Sequence, residues 1–112
     1  MARVLEGLEW VKVADISEIV PDMGLRVEID EYPVAIWNIG GAFYATDDTC
    51  SHEEASLSEG DVWDGNIECP LHGSQFDPET GAAITLPAVL PIATFPIKID
   101  GNDVYVGWRA DR

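Results

Sequence analysis

The sequence predicts an all-β domain of short antiparallel strands, and three observations lead there. Leu25, Val27 and Ile29 alternate with Arg26, Glu28 and Asp30, the two-residue period of a half-buried strand. Two pairs of apolar segments flank glycine-containing turns: Val34–Ile39 and Ala42–Thr46 around Gly40-Gly41, and Thr94–Ile99 and Asp103–Trp108 around Asp100-Gly101-Asn102. No stretch holds a 3.6-residue apolar period over twelve residues, which excludes long amphipathic helices.

Taken in order, Trp10-Val-Lys-Val13 reads as the opening strand. Asp15, Ile16, Ser17 and Ile19 suit a single helical turn ahead of Pro21. Leu25–Ile29 and the Gly-Gly hairpin follow. Residues 47–91 differ from the rest: they are rich in Gly, Pro, Ser and acidic residues, their strand segments are shorter, and they contain every Cys and His. The closing hairpin carries Pro96, which lacks an N–H for a ladder and so predicts an edge strand or a bulge. Trp10, Trp37, Phe43, Tyr44, Trp63, Phe95 and Trp108 are assigned to the core or to strand faces, not to electron transfer. The 112 residues, 46% of them apolar, form one domain over 1–112 with no linker or internal repeat.

The formal net charge is −15, and it is unevenly spread. Arg3, Lys12 and Arg26 precede residue 27, and Lys98, Arg109 and Arg112 follow residue 97. Between them lie 13 Asp and Glu and no Lys or Arg. Such a chain repels nucleic-acid phosphates and anionic lipids, so neither nucleic acid nor membrane is expected as a partner. The charge has two readings: solubility alone, or steering toward a basic protein surface. No run of 18 apolar residues is present, and Glu6 and Glu9 interrupt the only N-terminal segment that could serve as a leader. A cytoplasmic location is expected.

The chemistry lies in Cys50-Ser51-His52 and Cys69-Pro70-Leu71-His72, sixteen residues apart. A lone buried Cys is usually an inert small hydrophobe. Here, however, both cysteines and both histidines of the chain fall into two Cys–His couples, and that pairing points to metal. In a cytosolic chain, two cysteines also suit a metal better than a disulfide. Zinc is the main competitor, but its sites usually set two Cys on one knuckle and the two His elsewhere. Mixed couples suit a two-iron cluster in which one iron takes both thiolates and the other both imidazoles. Gly60 and Gly65 between the couples, and Gly73 after the second, would permit tight loop turns.

Cys50-Ser-His52 together with Cys69-Pro-Leu-His72-Gly73-Ser-Gln-Phe-Asp77 resembles the two cluster-binding loops of Rieske proteins. The short chain is similar to the stand-alone Rieske ferredoxins of bacterial aromatic-ring-hydroxylating dioxygenase systems. The resemblance implies stacked antiparallel sheets with a small inserted cluster-binding subdomain at about 47–91. It implies a Rieske-type [2Fe–2S] cluster on Cys50, His52, Cys69 and His72, with the thiolates buried, the imidazoles near the surface, and loop N–H groups bonded to the sulfurs. It further implies a soluble one-electron carrier, expected as a monomer, between a flavin-containing NAD(P)H-dependent ferredoxin reductase and a terminal oxygenase. Pro87-Ala-Val-Leu-Pro91 stands where the family has a third, proline-containing loop over the cluster; an ordinary rigid turn is the other reading.

Replacing two thiolates with neutral imidazoles makes the centre easier to reduce, so Rieske potentials span about −150 to +300 mV. The Rieske proteins of cytochrome bc complexes have two further cysteines and a tyrosine; this chain has Ala55, Leu71 and Phe76 at those positions, although Ser74 matches their serine. Together with Glu53 and Glu54 beside His52, these substitutions predict a potential of about −150 to 0 mV, the low end of that range. Intrinsic oxygenase activity is not expected, because a mononuclear iron would need two more His and an additional domain. A subunit of a quinol- or arsenite-oxidising complex and a structural zinc module are the remaining alternatives.

Overall fold

A computed structural model describes residues 8–51, 54–71, 73–86 and 88–109. Among these residues, ten strands form three antiparallel sheets. The first has the order β1 (Leu8–Asp15), β10 (Asp103–Arg109), β9 (Ile97–Asp100). The second has the order β2 (Leu25–Ile29), β3 (Tyr32–Ile39), β4 (Ala42–Asp47), β8 (Thr94–Phe95). The third, β5 (Asp61–Trp63), β6 (Asn66–Glu68), β7 (Gln75–Phe76), is inserted in the chain between β4 and β8. The all-β fold of stacked sheets is borne out. The expected helical turn is a 3₁₀ turn over Ile16–Glu18, capped by Asp15, whose side chain accepts from the Ser17 N–H while Glu18 returns a bond to the Asp15 N–H.

Strand β3 explains the stacking. Its run Val34-Ala35-Ile36-Trp37 is buried on both faces, as a strand in a middle layer must be. Val34 and Ile36 face a core shared with Ile29, Phe95, Val104, Val106 and Trp108 from the flanking strands. Ala35 and Trp37 face a second core with Leu57, Ile67, Phe76 and both cysteines. Trp37 satisfies its buried indole N–H on the Thr46 hydroxyl at 3.1 Å.

Two details depart from the sequence reading. Thr94–Ile99 is not one strand: Thr94 and Phe95 pair with β4, whereas Ile97–Asp100 pair with β10 in another sheet. Pro96 marks the switch. It contributes no N–H, and its carbonyl accepts from the Gly107 N–H at 2.8 Å, so both short strands lie at sheet edges. In addition, β2 and β3 form a hairpin across Asp30 and Glu31, both at positive φ (52° and 66°), with no glycine to signal the turn. Asp30 is held there by the Trp108 indole N–H at 3.1 Å.

Candidate metal centre

Two loops carry the predicted ligands, and the same bond closes each. The Cys50 N–H donates to the Ala55 carbonyl at 3.0 Å; the Cys69 N–H donates to the Ser74 carbonyl at 2.8 Å. Each cysteine therefore opens a six-residue loop whose closing partner lies five residues on. In the second loop the Gly73 N–H returns to the Cys69 carbonyl at 3.1 Å, with Gly73 at φ 74°. These three N–H groups are engaged within the loops themselves.

Both cysteines are buried, with 4% and 3% of their surface exposed, and share one apolar core with Trp37, Leu57, Phe76 and Ala88. They are not joined to each other. His52 and His72 lie outside the described residues, as do Glu53 and Pro87. Among the described residues, no three His, Cys, Asp or Glu side chains gather into a metal-binding group.

The loops are braced against one another. Gly60, at the end of a 3₁₀ turn over Leu57–Glu59, passes so close to β6 that a Cβ there would lie 2.0 Å from the Glu68 carbonyl oxygen and 3.1 Å from Pro70. The sequence reading gave Gly60 a turn role; the structure gives it a close-approach role, pressing the return limb of the first loop onto the start of the second. The third segment crosses both loops. Ala88, itself buried, donates its N–H to the Ser74 hydroxyl at 3.1 Å, and the Ser51 hydroxyl donates to the Leu90 carbonyl at 2.6 Å. One serine from each loop thus ties down residues 88–90, which places this segment over the two loops.

Sequence reasoning missed two acidic residues. Asp47 fastens the place where the chain leaves and rejoins the second sheet: its N–H donates to the Ala93 carbonyl, and its carboxylate accepts from the Ala93 N–H and the Tyr32 hydroxyl. Asp48 is 1% exposed and accepts from the Ser58 N–H and the Ser56 hydroxyl. An Asp-Asp-Thr stretch after an apolar strand reads as a solvated turn, and nothing in the sequence marks it otherwise.

The buried thiols suit a Rieske centre: two soft donors in one apolar pocket, on loops of equal closure, with no cation among the described residues of the loops themselves. A family model described as the Rieske [2Fe–2S] domain matches residues 9–96. The chain belongs to the Rieske [2Fe–2S] domain family. It is 43% identical over 95 residues to the ferredoxin component of a biphenyl 2,3-dioxygenase from Rhodococcus jostii, covering 85% of this chain and 89% of that one. A ferredoxin from Sphingomonas yanoikuyae superposes with a TM-score of 0.84 at 30% identity, over 89% of this chain and 99% of that one. A solved complex of reduced oxygenase and oxidised ferredoxin in carbazole 1,9a-dioxygenase contains a chain that matches with a TM-score of 0.79 at 39% identity, over 86% of this chain and 99% of that one. The resemblance drawn from the two loops is borne out, and with it the Rieske-type [2Fe–2S] cofactor.

Proposed function

We propose that this Rieske ferredoxin is a one-electron carrier, not itself an oxygenase, serving an aromatic-ring-hydroxylating dioxygenase. It would take electrons from a flavin-containing NAD(P)H-dependent ferredoxin reductase and pass them to the terminal oxygenase. The observation that carries the reading is the pair of identically closed loops, each delivering a cysteine into the same apolar core. Cys50, His52, Cys69 and His72 would hold the cluster, within a single unit over 1–112 whose cluster-binding part spans about 47–91. When bound there, the cluster supplies reversible one-electron chemistry.

The chain's own residues supply the remainder. Trp37, Phe76 and Ala88 exclude water from the thiolate side. Ser74 accepts from Ala88, which leaves its hydroxyl proton to donate elsewhere, while Phe76 offers no hydroxyl; this balance keeps the expected potential at about −150 to 0 mV. Leu71, Leu86, Val89 and Leu90 are exposed between 57% and 76% on the second and third loop segments, and Glu54, Glu59, Asp61 and Asp64 are exposed in the same part of the chain. Apolar contact within an acidic surround suits brief docking onto basic surfaces. A monomeric cytoplasmic carrier fits this picture, with neither nucleic acid nor membrane as partner; among the described residues no helix is long and apolar enough to cross a membrane.

The test is voltammetry with metal analysis on the purified protein. The expected result is a single one-electron wave between about −150 and 0 mV with about two irons per chain. A strongly positive wave would instead place the chain with quinol- or arsenite-oxidising complexes, and zinc without a wave would overturn the redox role.

A further inference from the structure

Asp48 is a carboxylate with 1% exposure, in a half of the chain that carries many acids and no Lys or Arg. A buried carboxylate is costly unless it is paired and hydrogen-bonded. Two donors come from the return limb of the first loop: the Ser58 N–H at 2.9 Å to Oδ1, and the Ser56 hydroxyl to Oδ2. The positive charge comes from elsewhere. Arg26 reaches across from β2, its guanidinium 3.7 Å from Oδ2. It is the only Lys or Arg between Lys12 and Lys98. The Asp48 backbone grips the same limb, its carbonyl accepting from the Leu57 N–H at 2.6 Å and its N–H donating to Pro33 at 3.3 Å. From the other side Ser58 rests on Gly24, where a Cβ would come within 2.7 Å of the Ser58 Cα.

We propose that Asp48 and Arg26 are positioning residues for the Cys50 loop, linking the second sheet to the limb that fixes where the Cys50 thiolate sits. The link is short. Asp48 sets Ser56–Ser58; Ser56 bridges to Thr49, and Ala55 accepts the Cys50 N–H. Any shift of the limb is therefore transmitted to Cys50 within one or two residues. Arg26 acts through charge: it offsets Asp48, and without it an uncompensated carboxylate stands two residues from Cys50. The two roles differ in size. A cleft of about 340 Å³ lined by Arg26, Asp48, Glu54 and Ser56, among others, admits water to the ion pair, so loss of Arg26 is partly relieved by solvent. Loss of the carboxylate leaves the Ser58 N–H and the Ser56 hydroxyl without their acceptor.

The inference rests on Cys50 being a cluster ligand, and the experiment keeps the two claims apart. Holoprotein variants are compared for cluster half-life under excess iron chelator, for midpoint potential and for Tm. Asp48→Ala is expected to shorten the half-life by about tenfold or more, the scale for residues that support metal ligands. Arg26→Met is expected to lower the midpoint potential, and Arg26→Lys to restore most of that loss. Glu28→Ala, which removes the exposed second partner of Arg26 at 3.0 Å, should change neither the half-life nor the potential. An Asp48→Ala half-life within twofold of the parent's, or equal potentials for Arg26→Met and Arg26→Lys, overturns the proposal. If Asp48→Ala does not fold, the two arginine variants decide it. A His72→Cys protein with unchanged potential would instead defeat the ligand assignment.

Discussion

In the base of the molecule, β1 and β10 pair at seven positions, and β3 pairs with β2 over 32–36 and with β4 over 34–39. In the part that carries the cysteines, no strand among the described residues exceeds three residues. The base core consists of Ala, Val, Ile, Phe and Trp side chains, with the Tyr32, Phe95 and Trp108 rings meeting edge-on or tilted, their centroids 5.4–6.2 Å apart. The tip core counts two cysteines among its nine buried members. Its ladders are short, and a set of point contacts supplements them: the Asp47 and Asp48 carboxylates, Ser51 and Ser74 on the third segment, and the close approach at Gly60. A ladder tolerates loss of one rung, whereas a set of single contacts does not. The difference implies that the base folds on its own sequence and that the tip needs its metal to complete it.

Removing the cluster is the largest test of that contrast. After chelation under reducing conditions, amides of Leu57, Ile67 and Phe76 should exchange at rates near those of unstructured peptide, while amides of the paired β1 and β10 stay protected. Hydrogen exchange followed by mass spectrometry reads both regions together. Equal loss of protection in base and tip would show one cooperative unit and break the comparison.

A matched pair of core truncations sharpens it. Ile36 and Ile67 are both fully buried, one in each core. Either change to Ala should cost about 2–5 kcal/mol by chemical denaturation. Only Ile67→Ala should also speed cluster loss, because its cavity opens beside Cys50 and Cys69. If Ile36→Ala releases the cluster equally fast, the cores are coupled through β3.

The same contrast explains what was legible in the sequence. Period-two alternation marks β2, because a half-buried strand leaves a repeating pattern, and the Gly-Gly turn between two apolar runs marks β3 and β4. The cysteines were legible because the pairing of residue types carries the chemistry whatever the backbone does. Pro96 marks a bulge or an edge in the sequence; that it divides one apolar run between two sheets depends on where the sheets lie, which no local pattern records. The turn at Asp30 and Glu31 was missed because neither is a glycine, and its conformation is maintained by Trp108, 78 residues away in sequence. Asp48 was illegible for a related reason: a buried carboxylate and a solvated one are spelled alike, and only the tertiary arrangement of Arg26, Ser56 and Ser58 tells them apart.

Smaller effects probe the base alone. Glu31 stands at φ 66° in the β2–β3 turn, a region in which side chains are strained. Glu31→Gly relieves that strain but frees the unfolded chain, for a net gain of about 0.5 kcal/mol. Urea unfolding should show the gain with cluster retention unchanged, since the turn belongs to the base. A loss of stability would mean that Glu31 makes a contact worth more than its strain.

The smallest effect is a pH dependence at the end of β1. The Ser17 hydroxyl and N–H donate to the Asp15 carboxylate, at 2.6 and 2.9 Å, and hold its pKa below the ordinary 3.8. A carboxyl with a lowered folded pKa gives stability that is present above its unfolded value and is lost as pH falls through the folded one. Asp15→Asn should therefore melt below the parent near neutral pH, with the gap closing as acid carries the parent carboxyl through its lowered pKa. The group lies at the surface, only partly buried, so solvent screens the effect and the gap should be small. A gap constant down to the acid limit would show that Asp15 acts as a neutral cap, through geometry alone. A gap accompanied by faster cluster loss would mean that even this distant turn of the base is felt at Cys50.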